Sequence, residues 1–117
     1  MKNNMNYPLI SVITVSYNAV LTIEQTILSV INQTYLNIEY IIIDGGSTDG
    51  TVNVIKKYAD KIAYWVSESD KGIYDAMNKG IAYSHGEYCN FINAGDKFCS
   101  SSILKQVMDF NHVADII

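Results

Sequence analysis

The sequence predicts a doubly wound α/β domain: a mostly parallel, Rossmann-like sheet with helices on both faces. Three observations lead there. Two apolar runs near the start are rich in Val and Ile, the pattern of strands buried on both sides. Strand-like runs alternate with helix-period segments along the whole chain, in the order β-α-β-α-β-α-β-α. A polar loop follows each strand-like run, as expected where a sheet presents its carboxyl edge. A length of 117 residues suits one domain with its own core and is too short for two.

The first strand is expected at positions 9–16, directly after the only proline, Pro8. The first helix follows at Thr22, where Thr22 and Gln25 have capping-box spacing and Ile23, Ile27, Val30 and Ile31 share a face. The second strand is expected at 38–43. Its helix begins near Thr51, burying Val52, Ile55 and either Tyr58 or Ala59. Ser47 and Asp49 read as caps of that helix, and Gly45, Gly46 and Gly50 as turn glycines. The third strand is expected at 62–66. A third helix over 73–84 stops before Gly86, which reads as a left-handed C-cap. The fourth strand spans 87–93 and the fourth helix 101–110, with Ile103, Leu104, Val107 and Met108 as its apolar face. Positions 114–117 read as the opening of a fifth strand, so the chain is expected to be one domain, 1–117, continuing on its C-terminal side. Right-handed crossovers make the sheet parallel. Tyr40, Tyr58, Tyr64 and Trp65 read as packing residues, His85 and His112 as surface residues.

Bulk properties exclude several functions. Eight basic against twelve acidic residues give a net charge of −4, and no Lys/Arg run offers a local exception, so nucleic acid is not an expected partner. Cys89 and Cys99 form no CxxC and have no His at ligand spacing, which argues against zinc and for free thiols in a reducing compartment. No apolar stretch approaches the ~20 residues of a membrane span, and the polar N-terminus is not a secretory signal. The expected location is the cytoplasm, peripheral to the inner face of the membrane in a longer protein.

The chemistry should sit in the loops after the strands. These read Thr14-Val15-Ser16-Tyr17-Asn18, then Asp44-Gly45-Gly46-Ser47-Thr48-Asp49-Gly50, then Ser67-Glu68-Ser69-Asp70-Lys71-Gly72, and last Asn93-Ala94-Gly95-Asp96. Three acid-bearing loops on one edge exceed what a scaffold needs. No GxGxxG follows the first strand, no acidic cluster suggests a phospho-acceptor site, and no P-loop is present. Asp44, at a strand end with no helix to cap, reads as a ligand group. Asp96 has two readings, a ligand or a cap of the following helix. Lys71 is either a solvated lysine or a diphosphate contact, and Asp75, Asn78 and Lys79 fit a solvated helix face.

The motifs "SVITVSYN", "SVINQTY", "IEYIIIDGGSTDGT", "DKGIYDAMNKGI", "GEY" and "NAGD", in that order, resemble the family-2 inverting glycosyltransferases of the GT-A fold. The resemblance runs from about Pro8 to Ile117. It implies a nucleoside-diphosphate sugar as donor, usually UDP-linked, a divalent cofactor, Mg²⁺ or Mn²⁺, and a glycan or lipid-linked acceptor in polysaccharide or glycoconjugate biosynthesis. It places Thr14, Ser16, Tyr17 and Asn18 beside the nucleoside and makes Asp44 an acceptor for the base or ribose. It adds Lys71, Asn78, Asn93, Ala94 and Gly95 to the nucleotide site and makes Asp96 the metal-bridging acid. The general base of the inverting reaction is expected beyond Ile117.

Two departures from the family pattern stand out. Gly45 occupies the place of a second adjacent acid, and the fourth loop carries one carboxylate, Asp96, in place of several. A subset of the family has this "NAGD" form. The alternatives are a non-catalytic nucleotide-binding module and a nucleotidyltransferase. The latter usually needs a basic, Gly-rich loop after strand one, which Ser16-Tyr17-Asn18-Ala19 does not resemble.

Overall fold

The computed structural model describes residues 7–116, with side chains through 110. The elements in chain order are β1 (Ile10–Ser16), α1 (Ile23–Ile31), β2 (Ile38–Asp44), α2 (Thr51–Lys57) with a short 3₁₀ turn (Ala59–Lys61), β3 (Tyr64–Ser67), α3 (Ile73–Tyr83), β4 (Tyr88–Phe91) and α4 (Ile103–Ile116). The four strands form one sheet in the order β3-β2-β1-β4. Every pairing is parallel. The chain winds outward from β1 through β2 to β3, then crosses back to place β4 on β1's other side. The strand order therefore reverses at the β1/β4 boundary, where a crevice opens beyond the carboxyl ends.

Strand alternation sends side chains to two different layers. Ile10, Val12, Tyr40 and Ile42 pack with Ile23, Ile27 and Val30 of α1, Ile55 of α2, and Leu104 and Met108 of α4. Ile13, Ile41 and Ile43 face the other way, onto Ala76 of α3. Gly80 lets α3 approach the sheet: a Cβ there would lie 2.5 Å from Cγ2 of fully buried Ile13. The doubly wound expectation holds, with three helices on one face and α3 on the other.

Several local expectations give way. Thr22 is the N-cap of α1 but makes no side-chain capping bond. Its hydroxyl turns instead toward the carbonyl of Ala19. Gly86 is not a left-handed C-cap, because α3 ends at an extended Ser84 (φ −82°, ψ 147°). Gly86 is needed for proximity. A Cβ there would meet the Ser11 backbone nitrogen at 2.6 Å and the Leu9 carbonyl oxygen at 2.8 Å. β3 begins at Tyr64, since the 3₁₀ turn occupies the preceding residues and Ile62 is buried in the core. The fifth strand is not formed: α4 continues through positions 114–116. Nothing after Ser101 is Gly or Pro, so no breaker stops a helix in which each added residue gains a backbone hydrogen bond.

Candidate functional site

The parallel register sets Ser16, Asp44 and Ser67 side by side at the carboxyl ends of β1, β2 and β3. A carboxylate is thereby flanked by two hydroxyls. Asp44 accepts five hydrogen bonds, from the hydroxyls of Ser16 (2.7 Å), Ser67 (2.7 Å) and Ser47 (2.6 Å) and the backbone N–H groups of Ser47 (2.8 Å) and Gly46 (3.2 Å). Burial pushes its carboxyl pKa up, but the bonds from Ser47, Ser16 and Ser67 outweigh this and hold it below the usual carboxylate value. The side chain is completely buried. Asp44 thus does not meet the expectation of an open acceptor for a base or ribose; its oxygens are engaged by the chain's own donors, and it organises the loop after β2.

Asn18 and Ser47 tie this loop to the one after β1. Asn18 adopts a left-handed conformation (φ 46°), which a short polar side chain tolerates. Its backbone N–H donates to the Ser47 hydroxyl at 2.7 Å, and its side-chain oxygen accepts from the N–H of Thr48 at 2.9 Å. Ser47 is therefore a brace between loops, not a helix cap. Asp49 does serve the start of α2, accepting from the Thr51 N–H at 3.0 Å, and also holds the Val20 N–H at 3.1 Å. Thr14 does not reach the loop surface. It is fully buried, and strand alternation turns its hydroxyl to the phenol of Tyr40, 2.8 Å away.

A cavity of about 210 Å³ lies at the switch point. Val15, Ser16, Tyr17 and Ala19 line it from the β1 side, and Asn93 and Ala94 from the β4 side. Asp70, Gly72, Ile73 and Ala76, where the chain leads into α3, close it below. Tyr17 is 65% exposed at its rim. Oδ1 of Asn93 is buried with no hydrogen-bond partner among the described residues, an uncommon condition for a polar atom.

Beyond Ala94 the chain turns at Gly95 (φ 103°) and exposes Asp96. Thr26 of α1 holds this turn: its hydroxyl donates to the Asp96 carbonyl and accepts from the Gly95 N–H at 3.0 Å. Asp96 lies well before Ile103, where α4 begins, so the capping alternative for it lapses. Thr26→Val keeps the shape and removes both bonds. The expected result is a loss of about 1–2 kcal/mol, read as a lowered midpoint in urea unfolding.

Lys71 is exposed, with its backbone N–H held by Asp75 at 3.0 Å. Asn78 is exposed on α3 and does not line the cavity. Lys79 pairs with Glu68 at 3.1 Å. Among the described residues no group of three His, Cys, Asp or Glu could enclose a metal ion. The single exposed carboxylate of Asp96 suits an ion that arrives on phosphate oxygens and needs one protein ligand from this edge. Sequence reasoning overlooked Asp70, Ile73 and Ala76. The first reads locally as an Asx turn onto the Gly72 N–H, and nothing in the sequence indicates where its carboxylate points.

A doubly wound sheet with a cavity beyond β1 and β4, walled by the loops after β1, β3 and β4, defines an α/β domain of the GT-A glycosyltransferase class. A profile of Glycosyl transferase family 2 matches residues 11–117, and the chain belongs to that family. It is 41% identical over 103 residues to an uncharacterized glycosyltransferase of Mycobacterium tuberculosis, covering 87% of this chain and 39% of that protein. It is 38% identical to the putative teichuronic acid biosynthesis glycosyltransferase TuaG of Bacillus subtilis, covering 86% of this chain and 41% of TuaG. The chain thus spans about two fifths of these relatives. Among solved structures it matches S. aureus TarS 1–349 in complex with UDP, with a TM-score of 0.79 and 26% identity over 87% of this chain and 31% of that one. It also matches glucosyl-3-phosphoglycerate synthase from Mycobacterium tuberculosis in complex with Mn²⁺, UDP and phosphoglyceric acid, with a TM-score of 0.64 and 27% identity over 75% of this chain and 33% of that one.

Proposed function

We propose that this chain is the donor-binding part of a glycosyltransferase that moves a sugar from a nucleoside diphosphate, UDP, to an acceptor hydroxyl with inversion, in polysaccharide or glycoconjugate synthesis. The observation that carries this is the cavity at the switch point, with half-buried Asn93 on its wall, its Oδ1 unpartnered among the described residues, and exposed Asp96 two residues beyond Ala94. The proteins of known complex that share the fold support the choice of UDP and of a divalent cation. The acceptor is a glycan or a lipid-linked acceptor, a reading in keeping with the teichuronic acid biosynthesis named for TuaG.

Within this reading Tyr17, Val15 and Ile73 present apolar surface to the nucleoside, and Asn93 accepts a hydrogen bond from it. Asn18 and Asp44 act at one remove, by fixing the loops. Asp96 would hold Mg²⁺ or Mn²⁺ together with the diphosphate, and the bound ion would neutralise charge on the departing nucleotide. Gly95, Lys71 and Asn78 stay on the donor side as flanking groups. No residue of this chain is assigned as the general base, which we place in the remainder of a longer protein. Two exposed free cysteines suit a reducing compartment, so we assign the site to the cytoplasm, at the inner face of a membrane. No helix among the described residues is long and apolar enough to cross that membrane.

Calorimetric titration of UDP, with and without Mn²⁺, tests the reading. Wild type should bind UDP more tightly with Mn²⁺. Asp96→Ala should lose that increment, about tenfold or more, and keep the metal-free affinity. Equal binding by both proteins in both conditions would put the metal elsewhere. The single carboxylate at the β4 loop also fits a nucleotide-binding module without catalysis. Turnover of a UDP-sugar by a longer form of the protein would decide against that second reading.

A further inference from the structure

Gly45 has no backbone need to be glycine, because its φ lies outside the left-handed region. What needs the missing Cβ is Asp70. A Cβ at position 45 would lie 3.0 Å from Oδ2 of Asp70 and 3.4 Å from Oδ1. The carboxylate of Asp70 therefore occupies the space that a side chain at the end of β2 would take. Its Oδ1 accepts the Gly72 N–H at 3.0 Å, while Oδ2 accepts no hydrogen bond from the described residues. Asp70 is half-buried and lines the switch-point cavity together with Asn93. Asp70 and Asn93 thus line one cavity, and the second oxygen of Asp70, with no donor on it from the described residues, calls for a ligand that brings one.

The strand order β3-β2-β1-β4 gives the ligand a direction. Asp96 follows β4 and Asp70 follows β3, against Gly45 at the end of β2, so the two acids flank the carboxyl end of β1. With the diphosphate on the Asp96 side, the far end of the nucleotide, its base, extends toward Asp70. Resting on the donor-site reading above, we infer that Asp70 reads the nucleobase, accepting the imide N3–H of uracil, and that Gly45 is the vacancy that lets it do so. Uracil linked through N1 has one N–H left, and an ionised carboxylate is a strong acceptor for it.

The test compares UDP with N3-methyl-UDP, in which a methyl group replaces that proton, on the whole chain by calorimetry. Wild type should bind N3-methyl-UDP about tenfold more weakly than UDP. Asp70→Ala should weaken UDP about tenfold and erase the difference between the two ligands. Asp70→Asn keeps one acceptor oxygen, which can hold the Gly72 N–H while its NH₂ faces the base N–H, so it should melt like wild type yet weaken UDP about as much as Asp70→Ala. Gly45→Ala, whose Cβ displaces the carboxylate, should weaken UDP in wild type and have no further effect in Asp70→Ala. UDP binding that Asp70→Ala leaves unchanged, or a methyl penalty equal in both proteins, overturns the assignment while the donor-site reading survives. Failure of wild type to bind UDP overturns both.

Discussion

Asp44→Ala is expected to lose about 3–5 kcal/mol of stability, because five donors lose their acceptor at once and three of them are hydroxyls packed at the sheet edge. In a domain of this size that corresponds to a fall in Tm of more than about 10 °C, measurable by thermal melting. Asp44→Asn should cost less, since the amide oxygen keeps some of the acceptance while its NH₂ faces the donors already there. The pH dependence has a definite sign. The folded carboxyl is held below its ordinary value of 3.8, so its contribution is fully present above that value and is lost as pH falls through the lower folded pKa. Acid unfolding of wild type should therefore show a component below about pH 4 that Asp44→Ala lacks. An acid limb identical in the two proteins would mean that Asp44 is not the group organising this edge.

Gly86→Ala is the second large effect. The new Cβ would enter backbone, not a flexible side-chain end: the Ser11 nitrogen at 2.6 Å, the Ser11 hydroxyl at 2.7 Å and the Leu9 carbonyl at 2.8 Å. Here the chain docks the start of β4 onto β1, with the Gly86 N–H donating to the Ser11 hydroxyl at 2.9 Å and the Glu87 N–H to the Leu9 carbonyl at 2.8 Å. Relieving the clash must push the two strands apart at that end. The expected loss is about 2–3 kcal/mol, the range for overpacking where the neighbours cannot yield. β4 leads at its other end into the loop of Asn93 and Asp96, so the same substitution should weaken UDP binding although it lies at the opposite end of the strand. Gly80→Ala makes a useful contrast. Its Cβ would lie 2.5 Å from Cγ2 of fully buried Ile13, a carbon branched next to the backbone, so the helix's gain of about 1 kcal/mol of propensity offsets only part of the overlap and this melt should fall as well, through a side chain and not through backbone. Equal stability of wild type and Gly86→Ala would remove the close-approach argument.

The helices and strands were largely legible because their signals are local. The Val/Ile runs of β1 and β2 and the apolar faces of α1 and α4 need no knowledge of distant residues. Boundaries failed where another signal won, a tertiary contact at Ile62 and unbroken helix propagation at 114–116. Ile62 reads as strand but buries itself below a 3₁₀ turn, and positions 114–116 read as strand but continue α4. The loops at the carboxyl edge were found as a group, since each follows a strand and polarity marks it. Within that group single roles were misassigned. Thr14, a nucleoside neighbour by resemblance, is turned inward by alternation, and Ser47, with the look of a helix cap, makes no capping bond and braces two loops instead.

Composition and order along the chain are thus enough to establish a doubly wound sheet and the edge on which its ligand loops gather, and the order of its motifs is enough for the resemblance to a glycosyltransferase family, because periodicity and motif order are properties of neighbours in sequence. Which carboxylate is sealed and which is open could not be read that way. Asp44 and Asp70 stand in similar polar, glycine-containing loops, yet one accepts five hydrogen bonds inside the molecule and the other fills the gap left by Gly45 at the rim of a cavity. That difference arises from strand register and from contacts between residues far apart in the chain, which only the assembled fold brings within hydrogen-bonding distance.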